Sequence, residues 1–385
     1  MKITKLFKDF FESEKVAGIL LLFCTMISVL LANSSFGTNY IQFWQNDFLG
    51  HHLEFWINDG LMTIFFLLIG LELEREIYQG ELSNIKDALL PIFAAIGGII
   101  VPASIYLFFN FGSNTQTGAG IPMATDIAFA LAVLSLLGKK VPVSLKIFLT
   151  AFAVIDDLGA ILVIAVFYTK SLIWSNLAIA LSIFIFLLIL NRLKVRNLIP
   201  FLFLGTLMWY FMLMSGVHAT ISGVLLAFAI PFGNGKSKSS SYILQHFLHK
   251  PVAFFILPIF ALANTAIILN TNSFGAFSDN YSLGILFGLL VGKPLGIFLA
   301  TFISVKLGFC KLPFDLNWKM ILGAGFLGGI GFTMSIFITL LAFENQENIN
   351  NSKFIILIST LLAGFIGFLY LNLILKKNIK LKTQI

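Results

Sequence analysis

The chain is poor in charge. Only 11% of its 385 residues are Asp, Glu, Lys or Arg, against about 25% in soluble domains. With 58% hydrophobic residues, this composition excludes a soluble globular protein and defines a polytopic membrane protein. Cysteine is scarce as well: Cys24 falls in the first apolar segment and Cys310 in a loop read as cytoplasmic, so no disulfide framework is implied. A period-two alternation of apolar and polar residues is also missing. The 43 phenylalanines sit in near-continuous apolar runs, which excludes a membrane β-barrel and leaves α-helices to do the spanning. No long linker or low-complexity tract divides the chain. One polar stretch, 233–241, lies within a connection 232–250 that joins two halves of a single domain, 1–385. The start reads as a retained first helix and not as a secretory signal, because Asp9, Glu12 and Glu14 follow Lys2, Lys5 and Lys8.

Twelve apolar segments are legible, at 16–33, 59–79, 87–109, 121–138, 146–169, 173–191, 197–214, 215–231, 251–270, 283–305, 318–342 and 352–375. If the N-terminus is cytoplasmic, only Lys170 and Lys353 among the 25 Lys and Arg fall outside, and Lys293 falls within the membrane. This is the bias that the positive-inside rule requires, with both termini cytoplasmic. Merging the two short segments that meet near Ser215 and Gly216 would spoil it. The net charge of +7 therefore reflects topology, and nucleic acid is not indicated as a partner.

Against this background, four charges inside apolar segments stand out. Asp156 and Asp157 lie near the middle of 146–169, a run long enough to cross a hydrocarbon core of about 30 Å. Each such charge costs on the order of 2.5 to 3.5 kcal/mol on insertion scales, so the pair must meet a cation, a proton or water. Asp126 follows Gly118, Gly120 and Pro122, which interrupt a helix. A matching interruption comes at 325–331, where four glycines fall in seven residues. Lys293, followed by Pro294, has as stable options a carboxylate, a helix C-terminus or water. Interrupted helices in corresponding positions of two halves point to a binding site at the bilayer midplane. There Asp126 either offsets two helix N-termini or merely caps a helix, and Lys293 either offsets two C-termini or forms a structural salt bridge.

Seven blocks carry a resemblance. The stretches WINDGLM from Trp56, GLELERE from Gly70, ATDIAFA from Ala124, IDDLGA from Ile155, SGVHAT from Ser215, GKPLG from Gly292 and GFTMSIF from Gly331 closely resemble the NhaA family of bacterial sodium/proton antiporters, in order and over nearly the whole chain. The resemblance implies an all-α fold of twelve transmembrane helices with inverted repeats and two discontinuous helices crossing at the midplane. It implies that Asp157 binds sodium and that Asp156 takes part in proton exchange, with an ion pair to Lys293 that forms and breaks. Thr125 and Asp126 would lie at the crossing, and Glu72, Arg75, Glu76 and His218 would belong to the region of pH response. Gln245 stands at the cytoplasmic funnel where a glutamate is expected, which leaves the pH threshold open. The outer loop 34–55 is shorter than the family's hairpin, so a homodimer is left open. More protons than sodium ions per cycle are implied, and hence electrogenic exchange in the bacterial inner membrane.

The chemistry follows from competition. Neighbouring helix residues point about 100° apart, so Asp156 and Asp157 need not share a partner. Sodium or a proton neutralises the site, hardly both, and exchange becomes obligatory if only neutralised forms cross between inward and outward states. A hard oxygen shell with Thr125 as a neutral donor suits Na⁺ or Li⁺. The substrates are then Na⁺, Li⁺ and H⁺, with no cofactor, and the protein is a secondary transporter and not an enzyme. The adjacent pair argues against an intramembrane aspartyl protease, and Lys293 beside acids argues against a channel. A sodium-coupled solute symporter is the alternative. Elsewhere, His51 and His52 read as solvated loop residues, and a metal site at His246 and His249 is a weak reading because no acid or cysteine stands beside them in the sequence.

Overall fold

The computed structural model describes residues 5–169, 172–233, 239–269 and 271–382. Lys2, Lys170, Lys236 and Lys238, which entered the charge count, lie outside the described residues. The chain is almost entirely helical, as a lipid environment demands, since a helix satisfies its own backbone polar groups. Among the described residues nine helices are long and apolar enough to cross a membrane, and the bent pair Trp318–Gly328 and Phe332–Ala342 makes a tenth if counted as one span. Two further apolar helices are shorter, Leu198–Met214 and Ile221–Ala229. This is a multi-pass membrane protein.

Several boundaries differ from the sequence reading. A helix, Ser240–Pro251, occupies most of the connection placed at 232–250, because Ser239 caps it by accepting from the Tyr242 N–H. The last helix begins at Gln346 and not at 352, so Lys353 is two turns inside it, buried and 3.9 Å from Glu54. The outer stretch 34–55 holds a helix, Gly37–Gln45, and a hairpin whose paired strands are only Asp47–Phe48 and His51–His52.

Among the described residues three π-helical turns interrupt the spans, at Trp56–Leu61, Val252–Ile256 and Gly288–Gly292. Two of them come just before a proline, Pro258 and Pro294. A proline ring clashes with the carbonyl four residues earlier and offers no N–H to it, and a widened turn relieves both problems. One consequence is that Lys293 starts a fresh helix, Lys293–Lys306, directly after a π turn. That helix packs tightly on Ile85–Asn110 through Gly97 and Gly296, where a side chain on either would run into the other's carbonyl oxygen. Small residues allowing close backbone approach are the usual means of helix association in lipid.

Candidate functional site

Asp156 and Asp157 project from the middle of the helix Val143–Phe167 and are 0% and 1% exposed. The Lys293 ammonium, equally buried, donates to Asp156 Oδ2 at 2.6 Å and stands 5.4 Å from the centre of the Phe152 ring. Asp157 differs from its neighbour. Neither of its carboxylate oxygens has a hydrogen-bond partner, although the residue is buried. Asp156, Asp126, Lys293 and Glu72 all lie near enough to act on its charge. Isolated buried carboxylates cost several kcal/mol, whereas a paired one is partly compensated. The site therefore holds one neutralised acid and one acid that still needs a cation or a proton.

The elements around it are held by a tight crossing. A 3₁₀ segment, Gln116–Met123, gives way to the extended residues Ala124 and Asp126 before the helix Ile127–Leu136. These residues run beside the break between Gly328 and Phe332. The Asp126 N–H donates to the Ile330 carbonyl at 2.6 Å, the Thr125 hydroxyl to the Gly328 carbonyl at 2.7 Å, and the Ser335 hydroxyl to the Ile121 carbonyl at 2.7 Å. Carbonyls orphaned at one broken helix thus find donors on the other.

Asp126 serves both helix starts at once. Its Oδ1 accepts from the Phe129 N–H at 2.9 Å, and its Oδ2 accepts from the Thr333 N–H at 3.2 Å and the Thr333 hydroxyl at 2.6 Å. A carboxylate at two facing N-termini is favoured by both capping and dipole. The capping reading and the charge-offset reading of Asp126 thus describe one geometry. Lys293 is spent on Asp156, and the helix-end carbonyls of Gly328 and Ile330 are met by Thr125 and by the Asp126 N–H. Thr125 also lies against Asp156.

The residues linked by resemblance to pH response divide into two places. Glu72, Arg75 and Glu76 sit at the far end of the helix Met62–Gln79, and Arg75 pairs with Glu76 at 2.9 Å. The helix Ser240–Pro251 lays a polar stripe against it: the Ser241 hydroxyl donates to Glu74 at 3.0 Å, Gln245 is buried one turn on, and His249 Nδ1 lies 3.8 Å from Glu72. Ser241 and His249 were not singled out from the sequence for this place, yet their spacing from Gln245, four residues each way, is the signal of one helical face. His246 points elsewhere, stacking on Tyr242. A small pocket of about 30 Å³ runs between Glu72, His249, Ile127 and Ala128, next to Asp126. His218 is not part of this group. Ile221–Ala229 runs in the same direction as Met62–Gln79, with Gly223 against Thr63 and Gly70 against Val224. That register puts His218 near the start of the Glu72 helix, roughly 20 Å from Glu72 at 1.5 Å per residue. There its Nε2 donates to the Tyr168 carbonyl at 2.8 Å.

A buried acid pair with its lysine inside a multi-pass helical protein is the arrangement of an ion-coupled membrane transporter. The family described as Na+/H+ antiporter 1 matches residues 8–371. The chain is 71% identical over 379 residues to the Na(+)/H(+) antiporter NhaA of Flavobacterium psychrophilum, covering 98% of this chain and 99% of that one. It is 64% identical to the Na(+)/H(+) antiporter NhaA 1 of Flavobacterium johnsoniae, with coverage of 98% and 99%, and 59% identical to the NhaA of Cytophaga hutchinsonii, with 98% and 97%. The chain belongs to the NhaA family of Na⁺/H⁺ antiporters.

Proposed function

We infer that the protein exchanges Na⁺ for H⁺ across a bacterial cytoplasmic membrane, with proton entry driving sodium export. Family membership supports the reaction, and the buried, unpartnered carboxylate of Asp157 supports its place. Asp157 takes the sodium because Asp156 is already paired with Lys293 in the sodium-free state. Thr125 and Asp156 complete the oxygen shell of the ion, and Li⁺ fits the same hard donors. When Asp156 turns to the ion, Lys293 loses its partner and sheds its proton. Two protons, one from Asp157 and one from Lys293, then move against one sodium, and the cycle is electrogenic.

The ten candidate spans together with Leu198–Met214 and Ile221–Ala229 support a count of twelve, with two discontinuous helices crossing at midplane and both termini cytoplasmic. Cytoplasmic sodium enters past Glu72 and His249, along the pocket that ends at Ile127 and Ala128. The stripe of Glu74, Ser241, Gln245, His249 and Glu72, with Arg75 and Glu76 beyond it, is the inner mouth where pH response is set. The chain is a transporter and no enzyme; its partners are the lipid bilayer and its ions. The test is sodium-induced dequenching of a ΔpH-sensitive dye in everted vesicles. Sodium collapses the gradient with the wild-type protein and not with Asp157→Asn; a folded wild-type protein that responds to neither Na⁺ nor Li⁺ between about pH 6.5 and 8.5 would falsify the reading.

A further inference from the structure

We propose that Tyr168 is the outer gate of the exchanger, a single phenol that closes the path between the ion site and the external face. The proposal rests on the antiporter reading and on the topology that places both termini inside. Tyr168 follows the last residue of the aspartate helix, Val143–Phe167, so it lies eleven residues, or about 16 Å, from Asp157 towards the external face.

The phenol is fixed by both of its hydrogen-bonding functions. Its hydroxyl donates to the Thr117 carbonyl at 2.7 Å and accepts from the Gly120 N–H at 3.2 Å. Both partners belong to the 3₁₀ segment Gln116–Met123, which leads to Thr125 and Asp126. A methyl on Gly120 would meet the Tyr168 oxygen and push the phenol aside; Gly118 stands in the same relation to the Tyr106 oxygen. The Tyr168 carbonyl accepts from His218 Nε2, so the backbone is held as firmly as the ring.

The two sides of this phenol are different in kind. On the outer side is a cavity of about 530 Å³ with a mixed lining: Asn114, Thr117, Glu344 and Asn348 among the polar residues, Phe167 and Phe343 among the apolar ones, with Tyr168 itself at its wall. On the inner side the chain passes from Gly120 to the fully buried Ile121 and on to the crossing. Ile338 packs against Gly120 there. Open space therefore ends at Tyr168, which is itself 7% exposed. To reach the external cavity, an ion leaving Asp157 must wait for Tyr168 to release Thr117 and Gly120. Those two bonds weight the equilibrium towards the closed outer face, and their loss shifts it the other way.

The experiment reads accessibility and does not depend on transport. In a background of Cys24→Ala and Cys310→Ala, the reporter Ile121→Cys sits just inside the gate. Labelling with a membrane-impermeant thiol reagent is compared from the outer and the cytoplasmic face, with and without Tyr168→Phe. The expected result is a roughly five- to hundredfold faster labelling from outside with no gain from inside, the size set by two lost hydrogen bonds. Equal gains from both faces, which a merely loosened structure would give, or no gain from outside, overturn the proposal. If Tyr168→Phe is not recovered in the membrane, Gly120→Ala, whose methyl displaces the phenol oxygen, is judged by the same two readings. Sodium-induced dequenching by the wild-type protein in the same membranes reports separately on the antiporter reading.

Discussion

Two clusters of carboxylates face each other along this molecule, and they are built on different rules. At the crossing, Asp156 and Lys293 meet at 2.6 Å with both side chains wholly buried, and Asp157 beside them has no partner. At the end of the Glu72 helix, Glu72 and His249 are 3.8 Å apart with 6% and 17% of their side chains exposed, and Glu74 accepts from a serine. Glu72 and Glu74 are themselves 5% and 4% exposed, but each has a polar or charged neighbour, and Arg75 and His249 beside them are partly open to solvent, so a change of charge there is partly compensated. Asp157 has no such neighbour bonded to it and must be matched by a cation or a proton. The difference teaches that partnering, more than residue type or burial alone, separates the two clusters.

The largest effect should come from taking the switch away. Asp157→Asn is expected to abolish sodium-dependent exchange while leaving thermal stability equal or higher, because the carboxylate has no partner to lose. A stability loss of several kcal/mol in detergent melts would mean that Asp157 is paired after all, and the contrast between the two clusters would fail.

Breaking the matched pair should do the opposite. Lys293→Ala leaves Asp156 buried and alone, which costs about 3 to 5 kcal/mol; replacing both, as Lys293→Met with Asp156→Leu, should recover most of that loss. A double-mutant cycle measures it, and additivity of the two changes would show that the pair is not coupled. Next in size is Asp126→Ala, which removes an N-cap and a bridge to Thr333. About 2 to 3 kcal/mol of stability should go, and Asp126→Asn, which still caps, should lose less than half of that.

The smallest effect belongs to the inner mouth. Glu72→Gln should raise the apparent KM for cytoplasmic sodium by about two- to fivefold, with kcat little changed, as expected for a charge on the entry route and not in the site, an effect of about 1 kcal/mol or less. A loss of kcat as deep as that of Asp157→Asn would place Glu72 in the switch and erase the distinction.

Much of this was legible in the sequence. Asp126, Asp156, Asp157 and Lys293 announce themselves because a charge in an apolar run has few stable fates. The glycines near Asp126 and in 325–331 mark where helices stop, since a continuous helix there is costly. The stripe of Ser241, Gln245 and His249 was legible too, by its spacing of four, but its charges and polar residues read as a loop. The start of the last helix was set too late for the converse reason: two turns of polar residues before an apolar run still form helix when Asn345 accepts from the Glu347 N–H at their start. Tyr168 carried no signal at all, because one tyrosine among eight is distinguished only by what its hydroxyl touches.

By itself the sequence determined a multi-pass helical protein, its family, and which acids and which lysine lie in the membrane. These follow from transfer energies and helix periodicity, which act along the chain. Only the tertiary structure decided that Lys293 chooses Asp156 and leaves Asp157 free, that Asp126 caps two helices at once, and that Glu72 faces His249 while His218 stands far away. Adjacent residues on a helix differ by a rotation of about 100°, and which of them meets a partner depends on how the helix is turned against its neighbours. That rotation is set by packing, by contacts such as Gly97 on Gly296, and no local pattern in the chain encodes it.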